Sequence, residues 1–420
     1  MKNSTYVIRK LLFLSLSLLL SSHIIKAQLV AKSLTAQNGN FIGFYEYKPT
    51  NYNTNTKYPI IIFLHGIGER GNGTTDLPNV LGNGTPRNIK DGHNMTFTWN
   101  GKTETFLVLI PQLSSSYGSW QNFYVEEMIN YAKKNLSIDT NRIFLTGLSL
   151  GGGGTWKYAA ASLTNAKKLA AIGVCCGTCE NVDFSNIAKA NLPTWAWHAN
   201  DDGTVGAGCS SGSITAINNA NPAVKPYLTL WPTGQHWIWG RVYNTDYAAQ
   251  HPNIYEWFLG QDKSKPVNKR PIANAGSNTN ITTGLGTVTL DASGSSDPDG
   301  KIVRYVWTVV SSPAYLTLPN GGVTTSPQLT VTGLNTAGTY VFELRVIDDR
   351  ADWTTSTVTV TVSSGSAPAN QRPTANAGND ITLTLPDNST NLDGRGSKDP
   401  DGSITYYNWS YVSGPTQYTL

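Results

Sequence analysis

Apolar runs of strand length alternate with helix-period stretches through most of the first 264 residues. Tyr58–Leu64 is a continuous apolar run that ends at His65-Gly66, and Phe106–Ile110 is another that ends at Pro111. Ile143–Thr146 is a third, followed at once by a glycine-rich turn. Leu169–Val174, Thr194–Trp197 and the apolar stretch Tyr227–Trp231 continue the series. Short unbroken apolar runs bounded by turn residues read as strands buried on both faces. Val125, Met128, Ile129 and Ala132 instead fall at i, i+3, i+4 and i+7, the stripe of an amphipathic helix, and Ile254–Leu259 reads as a final helix. The alternation predicts a mostly parallel sheet flanked by helices over residues 28–264.

The texture changes after Lys263. Residues 263–271 (KSKPVNKRP) read as linker, with 265–269 joining two units. Beyond them lie short Thr- and Val-rich strands separated by Asn, Asp, Gly and Ser, with no helical period. This part repeats itself. Arg270-Pro271-Ile272-Ala273-Asn274-Ala275-Gly276 returns as Arg372-Pro373-Thr374-Ala375-Asn376-Ala377-Gly378, and Asp297-Pro298-Asp299-Gly300 returns as Asp399-Pro400-Asp401-Gly402. Trp307 and Trp409 keep the same offset, 102 residues without a gap. The pattern predicts an all-β module over 270–363, a second linker at 364–371, and the first half of another copy over 372–420, so that the chain stops within a domain.

Lys2, Arg9 and Lys10 precede the apolar run Leu11–Leu20, and Ile25-Lys26-Ala27 follows. This is the form of a secretory signal peptide, residues 1–27, cleaved near Ala27. The run is short for a membrane span, so an uncleaved anchor is the weaker reading. The formal charge of +4 comes from this segment. Lys2, Arg9, Lys10 and Lys26 account for it, and the remainder is balanced. A neutral exported chain offers no electrostatic case for nucleic acid or an anionic membrane surface. Charged residues at 14% and aromatics at 10% exclude a disordered solvating chain, and 40 Gly with 21 Pro in no Gly-X-Y period exclude collagen.

Cys175, Cys176, Cys179 and Cys209 lie within 35 residues. Outside the cytoplasm they favour a disulfide, and Cys209 with Cys176 or Cys179 is sterically easier than the vicinal pair. Free buried thiols and a metal site are the other readings; no His accompanies the cluster at a metal-binding spacing.

Gly147-Leu148-Ser149-Leu150-Gly151 follows the Ile143 strand and opens a helix-forming run. A sharp strand–turn–helix of this kind holds a serine at the tip of a sheet, and the glycines permit close strand–helix approach. The arrangement resembles the nucleophile elbow of the α/β-hydrolase fold. That resemblance implies the chain order serine, acid, histidine. His23 leaves with the signal, and His65 and His93 precede Ser149. His198 stands just before the candidate acid, and His251 sits beside the last helix. His236 remains as the base. The acid lies in His198-Ala199-Asn200-Asp201-Asp202-Gly203-Thr204-Val205, where both aspartates are available. The family's register selects Asp202 and leaves Asp201 as a solvated turn residue. The N–H of Leu150, after the nucleophile, and that of Ile67, between Gly66 and Gly68, are the expected oxyanion donors.

The strings LHGIGERG, Ile110-Pro111-Gln112, GLSLGG and Gly234-x-His236-x-x-Trp239 together resemble secreted carboxylesterases near the phospholipase/carboxylesterase and polyhydroxybutyrate-depolymerase-like groups. Some relatives in those groups are acetyl or feruloyl esterases of plant polysaccharides. Here His198-Ala199 replaces the usual His-Gly, and the cysteine cluster is a further departure. The resemblance implies a secreted serine carboxylesterase that needs no cofactor and no metal, with an ester substrate as its partner. Trp120, Trp237 and Trp239 are candidates for an aromatic substrate platform, with loop packing as the alternative. A non-catalytic glycan-binding or adhesion protein and a peptidase of the same fold are the rival readings. The Pro-x-Ala-x-Ala-Gly opening, Ser-x-Asp-Pro-Asp-Gly and the following Trp resemble PKD-type immunoglobulin-like sandwiches. Calcium at the Asp-Pro-Asp-Gly turns is a minor alternative to plain turn chemistry. No triad residue lies in these modules, so the sequence leads us to expect the hydrolase segment to act without them.

Overall fold

The computed structural model describes residues 28–246, 250–364 and 370–415, and the expected export signal lies outside them. Eight strands form the central sheet: β1 (Gln28–Thr35), β2 (Phe41–Lys48), β3 (Tyr58–Leu64), β4 (Leu107–Pro111), β5 (Ile138–Leu148), β6 (Ala171–Cys175), β7 (Thr194–Ala199) and β8 (Tyr227–Trp231). Their order is β1-β2-β4-β3-β5-β6-β7-β8. β2 runs antiparallel to β1 and β4, and every pair from β4 to β8 is parallel. This is the α/β-hydrolase sheet. Unbroken apolar runs suit its middle, since both faces are covered: all seven residues of β3 are buried.

Helix α1 (Asn122–Asn135) buries Val125, Met128, Ile129 and Ala132 against one face, beside α2 (Leu150–Ala160). Helix α3 (Ile254–Gly260) covers the other face through Ile254, Trp257 and Phe258. Its start is fixed by a capping box, in which Asn253 takes the Glu256 N–H and Glu256 takes the Asn253 N–H.

Residues 279–363 form a sandwich. One sheet joins Thr279–Thr282, Trp353–Ser363, Gly338–Asp348, Ile302–Ser311 and Val323–Thr324; the facing pair is Thr287–Asp291 with Gln328–Thr332. Trp307, Phe342, Leu344 and Val358 fill the space between. The second copy reproduces the first locally. Asn274 N–H donates to Ser295 Oγ and Asn376 N–H to Ser397 Oγ, both at 2.9 Å. The isolated bridge Ile272–Ser296 has its counterpart in Thr374–Lys398. Most described residues between 370 and 415 are exposed, Tyr406 and Val412 among them. In the first Asp-Pro-Asp-Gly turn, Asp297 accepts the Asp299 N–H and Asp299 accepts the Lys269 N–H, which is turn chemistry.

The sandwich does not hang from a free tether. Asn268, within the segment read as linker, donates to Asp348 and Asp352. The Trp353 ring stacks on Tyr227 with centroids 3.7 Å apart and lies 4.5 Å from Trp195. Arg304 makes a two-pronged contact with Glu256, and Trp99 Nε1–H donates to the Asp349 carbonyl. Val306, Ile347, Ala351 and Trp353 thereby join one of the two hydrolase cores.

Candidate active site

Ser149 sits between β5 and α2 with φ 54° and ψ −121°, a left-handed backbone that costs a non-glycine residue on the order of 1–3 kcal/mol. Two close approaches force that turn. A Cβ on Gly151 would lie 2.0 Å from the Leu64 carbonyl oxygen, and one on Gly147 would lie 2.4 Å from that of Gly151. The Ser149 N–H donates to the Cys175 carbonyl at 2.9 Å, which pins the elbow to β6.

His236, in the loop after β8, places Nε2 2.8 Å from Ser149 Oγ and Nδ1 2.7 Å from Asp202 Oδ2. The other Asp202 oxygen accepts the N–H groups of Thr204 and Val205, each at 2.9 Å. Burial pushes the Asp202 carboxyl upward, but the bonds from His236 and from the Val205 and Thr204 N–H groups outweigh it, so the group stays ionised below its ordinary range. Asp201 is not an idle turn residue. Its Oδ1 accepts the Gln235 N–H at 2.8 Å and so holds the loop that carries His236. Sequence reasoning missed this because the bond links residues 34 apart.

His198, which chain order excludes as the base, nevertheless belongs to the site. It is fully buried at the end of β7. Its Nε2 is 2.8 Å from the Val205 carbonyl and 3.1 Å from Asp202 Oδ2, and its Nδ1 is 2.7 Å from Ser210 Oγ. A carbonyl accepts only, so Nε2 carries the proton and Nδ1 accepts from Ser210 when the ring is neutral. The i, i+4 spacing of His198 and Asp202 was the available signal.

On the other side of the nucleophile, Gly66 and Ile67 open a 3₁₀ turn, Ile67–Glu69. Ile67 is 57% exposed and lines one cleft with Ser149 and His236. Leu150 is the first residue of α2, where backbone N–H groups lack intrahelical acceptors. The two expected donors thus flank the Ser149 hydroxyl. The turn is held by His65, whose Nδ1 donates to the Gly66 carbonyl at 2.7 Å and whose Nε2 accepts the Leu113 N–H at 3.0 Å. Burial lowers the His65 pKa to about 4, against the opposing pull of the Gly66 bond, so the ring is neutral at pH 7.

The three tryptophans divide. Trp237 and Trp239 line the cleft, and Trp237 is 69% exposed. Trp120 does not reach it. The side chain is 2% exposed, its Nε1–H donates to the His65 carbonyl at 3.1 Å, and Gly154 leaves room for its ring. Trp120 supports the oxyanion turn from beneath and is no substrate platform. Cys179 bonds Cys209, joining the loop after β6 to the helix Gly208–Asn219. Cys175 and Cys176 are buried thiols behind the elbow.

Comparison with known proteins divides the chain in the same way. A family model described as a PKD domain matches residues 275–362 and 377–420. The C-terminal module is a PKD domain. Dyslexia-associated protein KIAA0319 of Homo sapiens is 38% identical over 151 residues, 36% of this chain and 13% of that protein. The bifunctional acetylxylan esterase/xylanase XynS20E of Neocallimastix patriciarum is 28% identical over 162 residues, 37% of this chain and 21% of that protein. The chain therefore spans a small part of the length of these curated relatives. A crystal structure of a thermostable esterase is similar at 25% identity and a TM-score of 0.42, covering 57% of this chain and 64% of that one. Among the described residues no helix is long and apolar enough to cross a membrane.

Proposed function

We propose that this chain is an exported serine carboxylic-ester hydrolase. The observation that carries the proposal is the continuous relay Ser149–His236–Asp202, with contacts of 2.8 and 2.7 Å. A serine hydroxyl is a weak nucleophile until a base takes its proton. His236 removes that proton as Oγ attacks the ester carbonyl, and Asp202 holds the imidazole tautomer and balances its charge. The Ile67 and Leu150 N–H groups receive the developing oxyanion. His236 then gives its proton to the leaving alcohol, and water hydrolyses the acyl-enzyme by the same route. The chemistry requires neither metal nor cofactor.

Acetyl or feruloyl esters of polysaccharides are the substrates this reading favours. The kinship with an acetylxylan esterase/xylanase supports the acetyl case. The exposed Trp237 beside His236 supports a ring-shaped alcohol. Export follows from the signal-like first 27 residues, and the PKD modules then act outside the cell as spacers or matrix contacts. The test is hydrolysis of p-nitrophenyl acetate, acetylated xylan and feruloylated arabinoxylan by the wild type and Ser149→Ala. The proposal expects turnover that falls roughly 10⁴-fold or more in the variant. A wild-type chain that hydrolyses no ester would instead favour a glycan-binding or adhesion protein on a hydrolase scaffold.

A further inference from the structure

The active-site cleft holds a second carboxylate that the triad does not use. Glu69 closes the 3₁₀ turn carrying Ile67 and is only 8% exposed, yet it lines the same cleft, of about 680 Å³, as Ser149. A Cβ built on Gly66 would lie 3.2 Å from Glu69 Oε2 and 3.6 Å from Ser149 Cβ, so the carboxylate stands beside the nucleophile. It is fixed there. Asn83 Nδ2 donates to Glu69 Oε1 at 2.6 Å, and Asn83 Oδ1 accepts from Trp239 Nε1 at 3.1 Å. Trp239 in turn meets Trp237 edge-on, with centroids 4.9 Å apart. One connected wall therefore runs from the oxyanion turn through Glu69, Asn83 and Trp239 to the exposed Trp237.

A negative charge near the oxyanion opposes ester hydrolysis unless the substrate makes use of it. A carboxylate only accepts hydrogen bonds, so its partner in the bound state must donate. Lys90 lines the same cleft, which makes the cleft a poor fit for a cationic alcohol and a better one for a neutral donor. We infer that Glu69 accepts a hydroxyl of the alcohol moiety and selects esters of neutral polyhydroxylated alcohols, with Trp237 against the apolar face of the ring. This rests on the serine-esterase reading and deepens it.

The test compares two acetyl esters, p-nitrophenyl acetate and acetylated xylobiose, in the wild type, Glu69→Gln and Glu69→Asp. Hydrogen bonds to charged groups set the scale at roughly ten- to a hundredfold. In Glu69→Gln the ratio of kcat/KM for the sugar ester to that for the aryl ester should fall by at least tenfold, with the loss concentrated in KM. Glu69→Asp, which keeps the charge, should recover part of the ratio. An unchanged ratio, with both substrates losing equally, would reduce Glu69 to a structural support and overturn the inference. So would a wild type that prefers acetylcholine to the sugar ester, or that turns over the aryl ester alone. If Ser149-dependent hydrolysis of the aryl ester is itself absent, the esterase reading fails first.

Discussion

Truncating Trp353 to alanine tests whether the first PKD module is part of the catalytic unit. The ring is nearly buried although it belongs to the sandwich, and the rings stacked on it come from the hydrolase sheet. Tyr227 lies parallel to it within 9°, Trp195 lies 4.5 Å away, and Tyr227 Oη bonds both the Trp353 carbonyl and its N–H. Arg270 packs on the Tyr227 ring at 3.7 Å from its centroid. Emptying a site of this kind costs about 3–5 kcal/mol for a tryptophan. At roughly 2–4 °C per kcal/mol for a unit of this size, the hydrolase transition should fall by on the order of 10 °C. Differential scanning calorimetry of the full chain checks it. The wild type should melt its hydrolase and first sandwich in one transition, and Trp353→Ala should lower that transition or split it. A hydrolase transition that stays within about 1 °C of wild type would refute the argument, because the two units would then be energetically independent. The same reasoning revises the expectation that a chain ended near Lys263 keeps its activity. Such a chain leaves Trp195 and Tyr227 uncovered and Glu256 without Arg304.

Three further outcomes follow from single contacts. His198→Phe should lower kcat at least tenfold with little change in KM, since it loosens Asp202 without touching the cleft, and His198→Asn should recover part of the loss; equal activity of all three would remove His198 from the site. His65, with an unfolded pKa near 6.5 and a folded value of about 4, makes the native state lose about 3 kcal/mol as pH falls between those values, because only the unfolded chain takes up the proton. Urea titrations at pH 7 and 4.5 should therefore show a steeper loss for wild type than for His65→Gln, and parallel losses would contradict it. Alkylation of the denatured, unreduced protein should modify Cys175 and Cys176 and leave Cys179 and Cys209 unmodified, and four modified thiols would exclude the disulfide.

Elements whose burial is set by their own residues were legible in the sequence. Tyr58–Leu64 and Tyr227–Trp231 are strands at the bounds their apolar runs suggest, and the i, i+3, i+4, i+7 stripe of α1 is the face that packs. The elbow was legible because its glycines are required by backbone contacts two to four residues away and by the neighbouring strand. The antiparallel strands β1 and β2 were not marked out, since Gln28–Thr35 mixes polar and apolar residues at an edge that pairs on one side only. Contacts between distant segments were equally hidden. Nothing local distinguishes Trp120, which hangs beneath His65, from Trp237, which faces solvent. Nor does anything in Trp353 announce that its partner is Tyr227 across the junction of the two modules. Chain order says only that His198 is not the base, whereas its role comes from three acceptor and donor atoms that converge once the loop 199–205 closes on itself.

The central claim, that Ser149 is an activated nucleophile, is tested most directly by covalent labelling. An organophosphate triester such as diethyl 4-nitrophenyl phosphate phosphorylates a serine only when a base and an oxyanion site act on it. Incubation of the full chain, followed by peptide mass spectrometry and a parallel esterase assay, should give one phosphoryl adduct per chain, located on Ser149. Activity should fall in proportion to labelling, and His236→Ala should label far more slowly. An adduct on another residue, or full esterase activity with Ser149 labelled, would contradict the account.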